Sequence, residues 1–369
     1  MRNRSSRLLR RVMVVAAALL FTGGPTAGQV RQPAKSWAVP RTAWGHPDLQ
    51  GFWNNETATP VERPREFGSR ALLTDAEFAE REAAVNRRSA DNPEERAPLR
   101  PGDTAAGPEH WYEFGKLTRR TSLVTDPPDG RIPPLTAAAL QRLESRERAR
   151  SGRGEADSWE DRSLWERCIT RPMPAAMEPN HAYNSNYQIL QTPDYVVILM
   201  ELIHDVRLIP LDGRPHLGTA VRQWFGDSRG RWDGDTLVVE TTNFVDRLDG
   251  GPIMASHTLA TEALRGGREF SGATLRLTER FTRIDPETIN YEYTVEDPNT
   301  FTRPYTVSIP MNHAIGLDRI YEYACHEGNY GMANMLTGGR ANEEAAREGA
   351  AREASARKRW VEEEKKRVR

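Results

Sequence analysis

The sequence predicts a mainly β fold with helical flanks, in which an antiparallel meander curls into a barrel or half-barrel. Three observations carry this. Residues 180–330 hold most of the Val, Ile, Leu, Tyr and Phe, whereas 60–160 and 338–369 are strongly polar. Within the apolar stretch, hydrophobic and polar residues alternate with the two-residue period of half-buried strands. The runs are separated by short turns, and short connections suit antiparallel neighbours.

Taken in order, the chain begins with five arginines, the apolar run Val12–Phe21, and then Gly, Pro and small residues. That layout predicts a secretory signal peptide over 1–28, cut after Gly28. Its apolar run is about ten residues, half of what a bilayer span needs. Arg10-Arg11 also permits twin-arginine export. No later segment is long and apolar enough to cross a membrane, so none is expected after cleavage.

Residues 29–170 read as an extended and helical region packing on the barrel. A short strand around Gln50–Asn54 joins the main sheet. One helix covers "LLTDAEFAEREAAVNRRSA", with Thr74 or Asp75 as its cap, and a second covers "LTAAALQRLESRERARS". The stretch between them, "NPEERAPLRPGDTAAGP", is linker-like.

Residues 171–335 read as the β domain. "YQILQT" is followed by the turn at Pro193-Asp194 and by "YVVILMELIHDVRLIPL", taken as one strand. "GRWDGDTLVVETTNF" is a hairpin about Asp233-Gly234, since Asp-Gly suits positive-φ turn positions. Two alternating runs flank Asp285–Thr288, and "TRPYTVSIPMN" and "DRIYEYACHEGNY" supply two last strands around Gly316. The whole is lipocalin-like in outline. Residues 336–369 form a charged helix with almost no apolar stripe, most simply solvated.

A formal net charge of −1 gives no field that would draw nucleic acid. The two cysteines, Cys168 and Cys325, suggest one disulfide in an exported chain. The alternatives are two buried thiols or a nucleophilic Cys325 beside His326. No nucleotide, haem or flavin motif is present, and no GxSxG elbow. Histidines and acids permit a metal, yet no HExxH, HxH or paired-Cys spacing supports one, so no metal ligand is assigned and the cofactor is unknown.

The segments "QTPDYVVIL", "IPLDGRPH", "GDSRGRWDGDTLVVETTNF", "TERFTRI", "YEYTVEDPNTFTRPYTV" and "IYEYACHEGNY" together resemble a large family of exported bacterial proteins, over most of residues 40–335. The resemblance implies export, to the periplasm or beyond the cell, and a β-rich body. It carries no catalytic assignment.

The chemistry must therefore come from the residues. "ELIHDVRLIPLDGRPH" concentrates His204, Asp205, Arg207 and His216, and "CHEGNY" adds His326; these five are the candidate acid–base groups. On an unbroken strand His204 and Asp205 point to opposite faces, whereas Glu201, Asp205 and Arg207 share one. Tyr183, Asn186, Glu201, Arg214, Arg222, Trp224 and Tyr323 are candidate ligand contacts near the strand ends. The first expectation is an exported protein binding a small, partly apolar molecule in a barrel cavity. The alternatives are a periplasmic hydrolase or lyase using His, Asp and Arg at the barrel mouth, and a structural envelope protein.

Overall fold

The computed structural model describes residues 37–89, 115–152, 157–170 without 163 and 165, 177, 184–246, 248–250, 268–270 and 272–367 without 328. The expected signal peptide, 1–28, and Tyr183 lie outside the described residues. Among them, no helix is long and apolar enough to cross a membrane.

The body is a ten-stranded, wholly antiparallel sheet nearly closed into a barrel. Its strands are β1 (Gly51–Asn54), β2 (Val124–Asp126), β3 (Asn186–Gln191), β4 (Tyr195–Met200), β5 (Asp205–Pro210), β6 (Asp227–Asp233) and β7 (Thr236–Thr242). A separate small hairpin pairs β8 (Leu248–Gly250) with β9 (Arg268–Phe270). The sheet is completed by β10 (Arg276–Asp285), β11 (Thr288–Glu296) and β12 (Tyr305–His313). Around the wall the order is β5-β4-β3-β1-β12-β11-β10-β7-β6, and β2 also pairs with β12.

Sequence-adjacent strands pair wherever the turns are short, as the alternation implies. Gly234 turns β6 into β7 at φ 59°, and residues 285–288 turn β10 into β11. The short strand expected near Gln50–Asn54 is β1, and it bridges β3 and β12 to bring the two halves of the meander together. The interior of the sheet is mostly apolar: Trp53, Ile189, Ile198, Ile209, Val239, Phe281, Tyr291 and Ile309 are among the fully buried side chains.

The barrel has one seam. β5 and β6 lie side by side without a backbone ladder. A Cβ on Gly230 of β6 would stand 2.8 Å from side-chain carbons of Ile209 and Leu211, so glycine is what lets the two edges approach. One end of the barrel is crossed by residues 39–50. There Gln191 accepts from the Leu49 N–H at 2.7 Å and donates to the Pro47 carbonyl, Arg283 donates to the Asp48 carbonyl, and His46 packs on Trp232.

Two strand expectations are corrected. Residues 195–209 are not one strand but the hairpin β4–β5, broken at 202–204 by left-handed backbone at Ile203 (φ 68°) and His204 (φ 56°). "DRIYEYACHEGNY" forms no strand among its described residues. β12 already has β11 along one edge and β1 and β2 along the other, so no edge remains beside it for a following strand.

The flanks are helical. In α1 (Asp75–Ser89) Thr74 is the cap: its hydroxyl accepts from the Glu77 N–H while Glu77 accepts from the Thr74 N–H, a reciprocal capping box. Thr136 caps α2 (Ala137–Arg150) by accepting from the Ala139 N–H, and the same hydroxyl donates to the Asn299 carbonyl on the β11–β12 connection. The last helix, α3 (Tyr330–Arg367), starts six residues before the expected boundary at 336. A disulfide joins Cys168 to Cys325, with Cα atoms 5.8 Å apart, just upstream of α3.

Candidate functional site

Two polar clusters stand out, one inside the wall and one outside it. Inside, Arg207 on β5 follows the parity of its neighbour Ile209 and points into the core. It meets Glu279 of β10 through two parallel bonds, Nη1 to Oε1 at 2.8 Å and Nη2 to Oε2 at 2.5 Å. The Tyr291 hydroxyl donates to Glu279 Oε1 at 2.8 Å, Arg207 donates to Ser228 Oγ, and Ser228 shares a bond with Thr241. Side-chain exposure is 4% for Arg207 and 0% for Glu279. Burial opposes the guanidinium charge, but the facing Glu279 carboxylate outweighs it and holds Arg207 more firmly protonated than usual. Burial, reinforced by Glu279, pushes the Tyr291 phenol well above its ordinary value, so it stays a neutral donor. Arg207 thus ties β5 to β6 and β10 across the seam. The cluster sits among packed aromatic side chains as a closed ion pair in which both guanidinium Nη atoms are bonded and Arg207 Nε is left without a partner.

Outside, the parity of β1 sends Trp53 inward and Asn54 outward; β3 sends Tyr187 inward and Asn186 outward. Asn54 and Asn186 are cross-strand partners. The Asn54 amide donates to Asn186 Oδ1 at 2.9 Å, and the Asn186 amide donates to Glu201 Oε2 at 2.7 Å. Glu201 is held beside Asn186 because the chain leaves β4 there, its own N–H bonding the Asn186 carbonyl. Asn54 Oδ1 accepts from the Glu56 N–H, and the Ser185 hydroxyl donates to Glu56 Oε1 at 2.5 Å. Both carboxylates are nearly inaccessible, Glu56 at 2% and Glu201 at 3%.

Asn54, Glu56 and Asn186 of this network line a cleft of about 440 Å³ together with Gly115, Ile315 and Leu317; Glu201, bonded to Asn186, is not one of its lining residues. Gly115 closes one side at φ 54°, where a Cβ would fall 2.3 Å from the Glu56 carbonyl. No side chain larger than hydrogen fits that position. Among the lining residues Ile315 is 84% exposed, an apolar surface in the same cleft as the polar groups.

The five acid–base candidates are not gathered. His204 is exposed in the turn after β4, Asp205 accepts from the Val206 N–H at 2.6 Å, and Arg207 is inside the barrel. His216 bonds Asp227 at 3.0 Å, a carboxylate also held by the Leu217 N–H and Arg229. Burial pushes the Asp227 carboxyl up, but those donors prevail and hold it below its usual value. His326 is exposed near the disulfide. Among the described residues no side-chain hydrogen bond joins any two of these five, and no group of three His, Cys, Asp or Glu side chains stands ready for a metal.

Of the ligand candidates, Asn186 lines the cleft and donates to Glu201, which does not line it. Arg214 is exposed, paired with Asp212 and donating to the Tyr195 hydroxyl. Arg222 caps the Phe244 carbonyl, Trp224 packs against the core, and Tyr323 is half-buried in the segment leading to the disulfide. Sequence reasoning missed Asn54, Glu56 and Glu279. Glu279 was signalled by the run Leu277, Glu279, Phe281, an acid on an otherwise apolar parity; "FWNNE" announced outward asparagines beside an inward tryptophan. Comparison with protein-family models, curated proteins and solved structures gave no match.

Proposed function

We propose that this is an exported protein that binds a small, partly apolar molecule in the outer-wall cleft beside β1 and β3. The observation that carries the reading is the cleft itself: the Asn54 and Asn186 amides and the Glu56 carboxylate line it together with an exposed isoleucine and a glycine against the Glu56 backbone. A few placed polar groups against an apolar wall are what small-molecule recognition needs. Export is supported by the arginine-led leader and the disulfide, and by the resemblance to a family of exported bacterial proteins. The position differs from the barrel interior first expected, which is occupied by packed side chains such as Trp53, Phe281 and Tyr291. The acid–base reading loses support because its five groups are scattered, and no observation favours a purely structural envelope role.

The test is an intrinsic-fluorescence titration of the mature chain against a library of small amphiphiles, Trp53 being one residue from the cleft. A saturable response that disappears in Asn186→Leu supports the proposal. A response that survives Asn186→Leu and Glu56→Gln places the ligand elsewhere, and the cleft reading is then wrong.

A further inference from the structure

Resting on that reading of the cleft, we propose that its ligands are single-chain amphiphiles, with the polar head at Asn54 and Asn186 and the alkyl chain lying along the outer wall of β3, β4 and β5. One face of the barrel breaks the pattern of the rest. On β10 and β11 the outward positions are polar, Thr278, Arg280 and Thr282 facing Thr294, Glu292 and Asn290, as suits an antiparallel wall turned to water. On β3, β4 and β5 the outward positions include Leu190, Val197, Leu199, Val206 and Leu208, and none is Asp, Glu, Lys or Arg. The register sets these side chains together. Leu190 pairs with Val197 and Val197 with Leu208, while Leu199 pairs with Val206. Leu190, Val206 and Leu208 are 45%, 46% and 63% exposed, so the shelf faces solvent.

Size and position decide what covers it. Across three strands and two outward steps the shelf measures about 14 by 14 Å, or about 200 Å². A stable dimer needs about 800 Å² from each partner, so a second copy is not held by this face alone. Its outward positions carry no cation to draw it to an anionic bilayer. An alkyl chain needs neither. The shelf lies outside the lining of the cleft and continues from it along one strand: Asn186 lines the cleft, and Leu190 follows on the same face of β3, about 14 Å further on. A molecule with polar atoms at one end and a flexible chain behind them meets both surfaces at once. The Asn54 and Asn186 amides carry donors and acceptors alike, so a primary amide, which carries both, is a fitting head for a probe.

Isothermal titration of the mature chain with butanamide, hexanamide, octanamide and decanamide, each kept monomeric, holds the head constant while the chain lengthens. A methylene strengthens binding about fourfold when fully buried and about twofold when covered on one side, so each step of two methylenes is expected to tighten binding about fourfold. The double variant Leu190→Asn/Leu208→Asn, at two exposed positions, is expected to flatten that gain and leave butanamide unchanged, which also shows that the cleft is intact. The N–H groups of β3 and β4 are already bonded within the sheet, so the shelf is read by affinity rather than by amide exchange. A wild-type series in which all four amides bind alike overturns the shelf assignment whatever the variant does, and leaves the cleft standing. So does a gain with length that the double variant keeps. A wild-type dimer in sedimentation velocity that the double variant dissolves assigns the face to a second copy, and flotation with phosphatidylcholine vesicles that it abolishes assigns the face to a bilayer; either result overturns the proposal. If no amide of any length binds, the cleft reading falls with it.

Discussion

Removing Glu279 is expected to damage the fold far more than removing its partner, and the asymmetry follows from the seam. The pair is buried, with side-chain exposures of 4% and 0%, and Glu279 is the acid that faces Arg207. In Glu279→Leu the guanidinium is left without its counter-charge, and arginine cannot shed its proton near neutral pH. The loss is expected at about 3–5 kcal/mol, the range for breaking a buried pair from one side. In Arg207→Met the remaining carboxyl has an escape: it takes up a proton and becomes neutral. Its folded form then binds a proton that the unfolded chain does not, so the stability of that variant falls as pH rises through the neutral range. The slope is up to about 1.4 kcal/mol per pH unit. The double variant Arg207→Met/Glu279→Leu removes both charges and leaves the Tyr291 hydroxyl without its acceptor while Ser228 keeps Thr241, a cost of about 1–3 kcal/mol for the unmet group, offset by apolar packing. It is expected to be more stable than Glu279→Leu alone. Urea denaturation followed by circular dichroism at pH 5 and pH 8 measures all four chains. Losses that simply add, or an Arg207→Met variant indifferent to pH, would refute the claim that the seam is held by an ion pair.

Other expectations are independent of that pair. Gly230→Val sets side-chain atoms against Ile209 and Leu211 from a Cβ position already 2.8 Å away, and is expected to cost about 1–3 kcal/mol by overpacking in the same urea assay; no change would mean the β5–β6 approach is slack. Breaking the disulfide with Cys168→Ser/Cys325→Ser frees a loop of 157 residues, for which chain entropy gives about 5 kcal/mol. Reductant should then lower the denaturation midpoint of the wild type but not of the variant. The Glu77 carboxyl is drawn down from 4.5 to about 2, first by its bond to Arg70 and then by the Thr74 cap. Its contribution to α1 is present above pH 4.5 and lost as pH falls toward 2, so proteolysis within α1 should accelerate over that window and much less so in Glu77→Gln.

The barrel was legible because its code is local. Alternation and turn residues mark β3, β4, β6, β7, β10, β11 and β12, and Asp233-Gly234 marks its turn outright. The break inside 195–209 was harder to read, since isoleucine and histidine carry no turn signal and their left-handed backbone is imposed by the β4–β5 pairing. That one break decided the site. An unbroken strand places Glu201 and Arg207 on one face; the hairpin sends Arg207 into the core and leaves Glu201 beside Asn186 on the outer wall. Asn54 was out of reach for a different reason, because its partner Asn186 lies 132 residues further along and only the long-range pairing of β1 with β3 joins them.

Hydrogen–deuterium exchange of the mature chain with and without a saturating amphiphile from the fluorescence titration tests the central claim most directly. Slowed exchange confined to residues 54–56, 115, 186 and 314–317 is the result expected of a ligand seated in the outer-wall cleft. Protection instead along the inward-facing strands, or around His216 and Asp227 with the cleft unchanged, would contradict it.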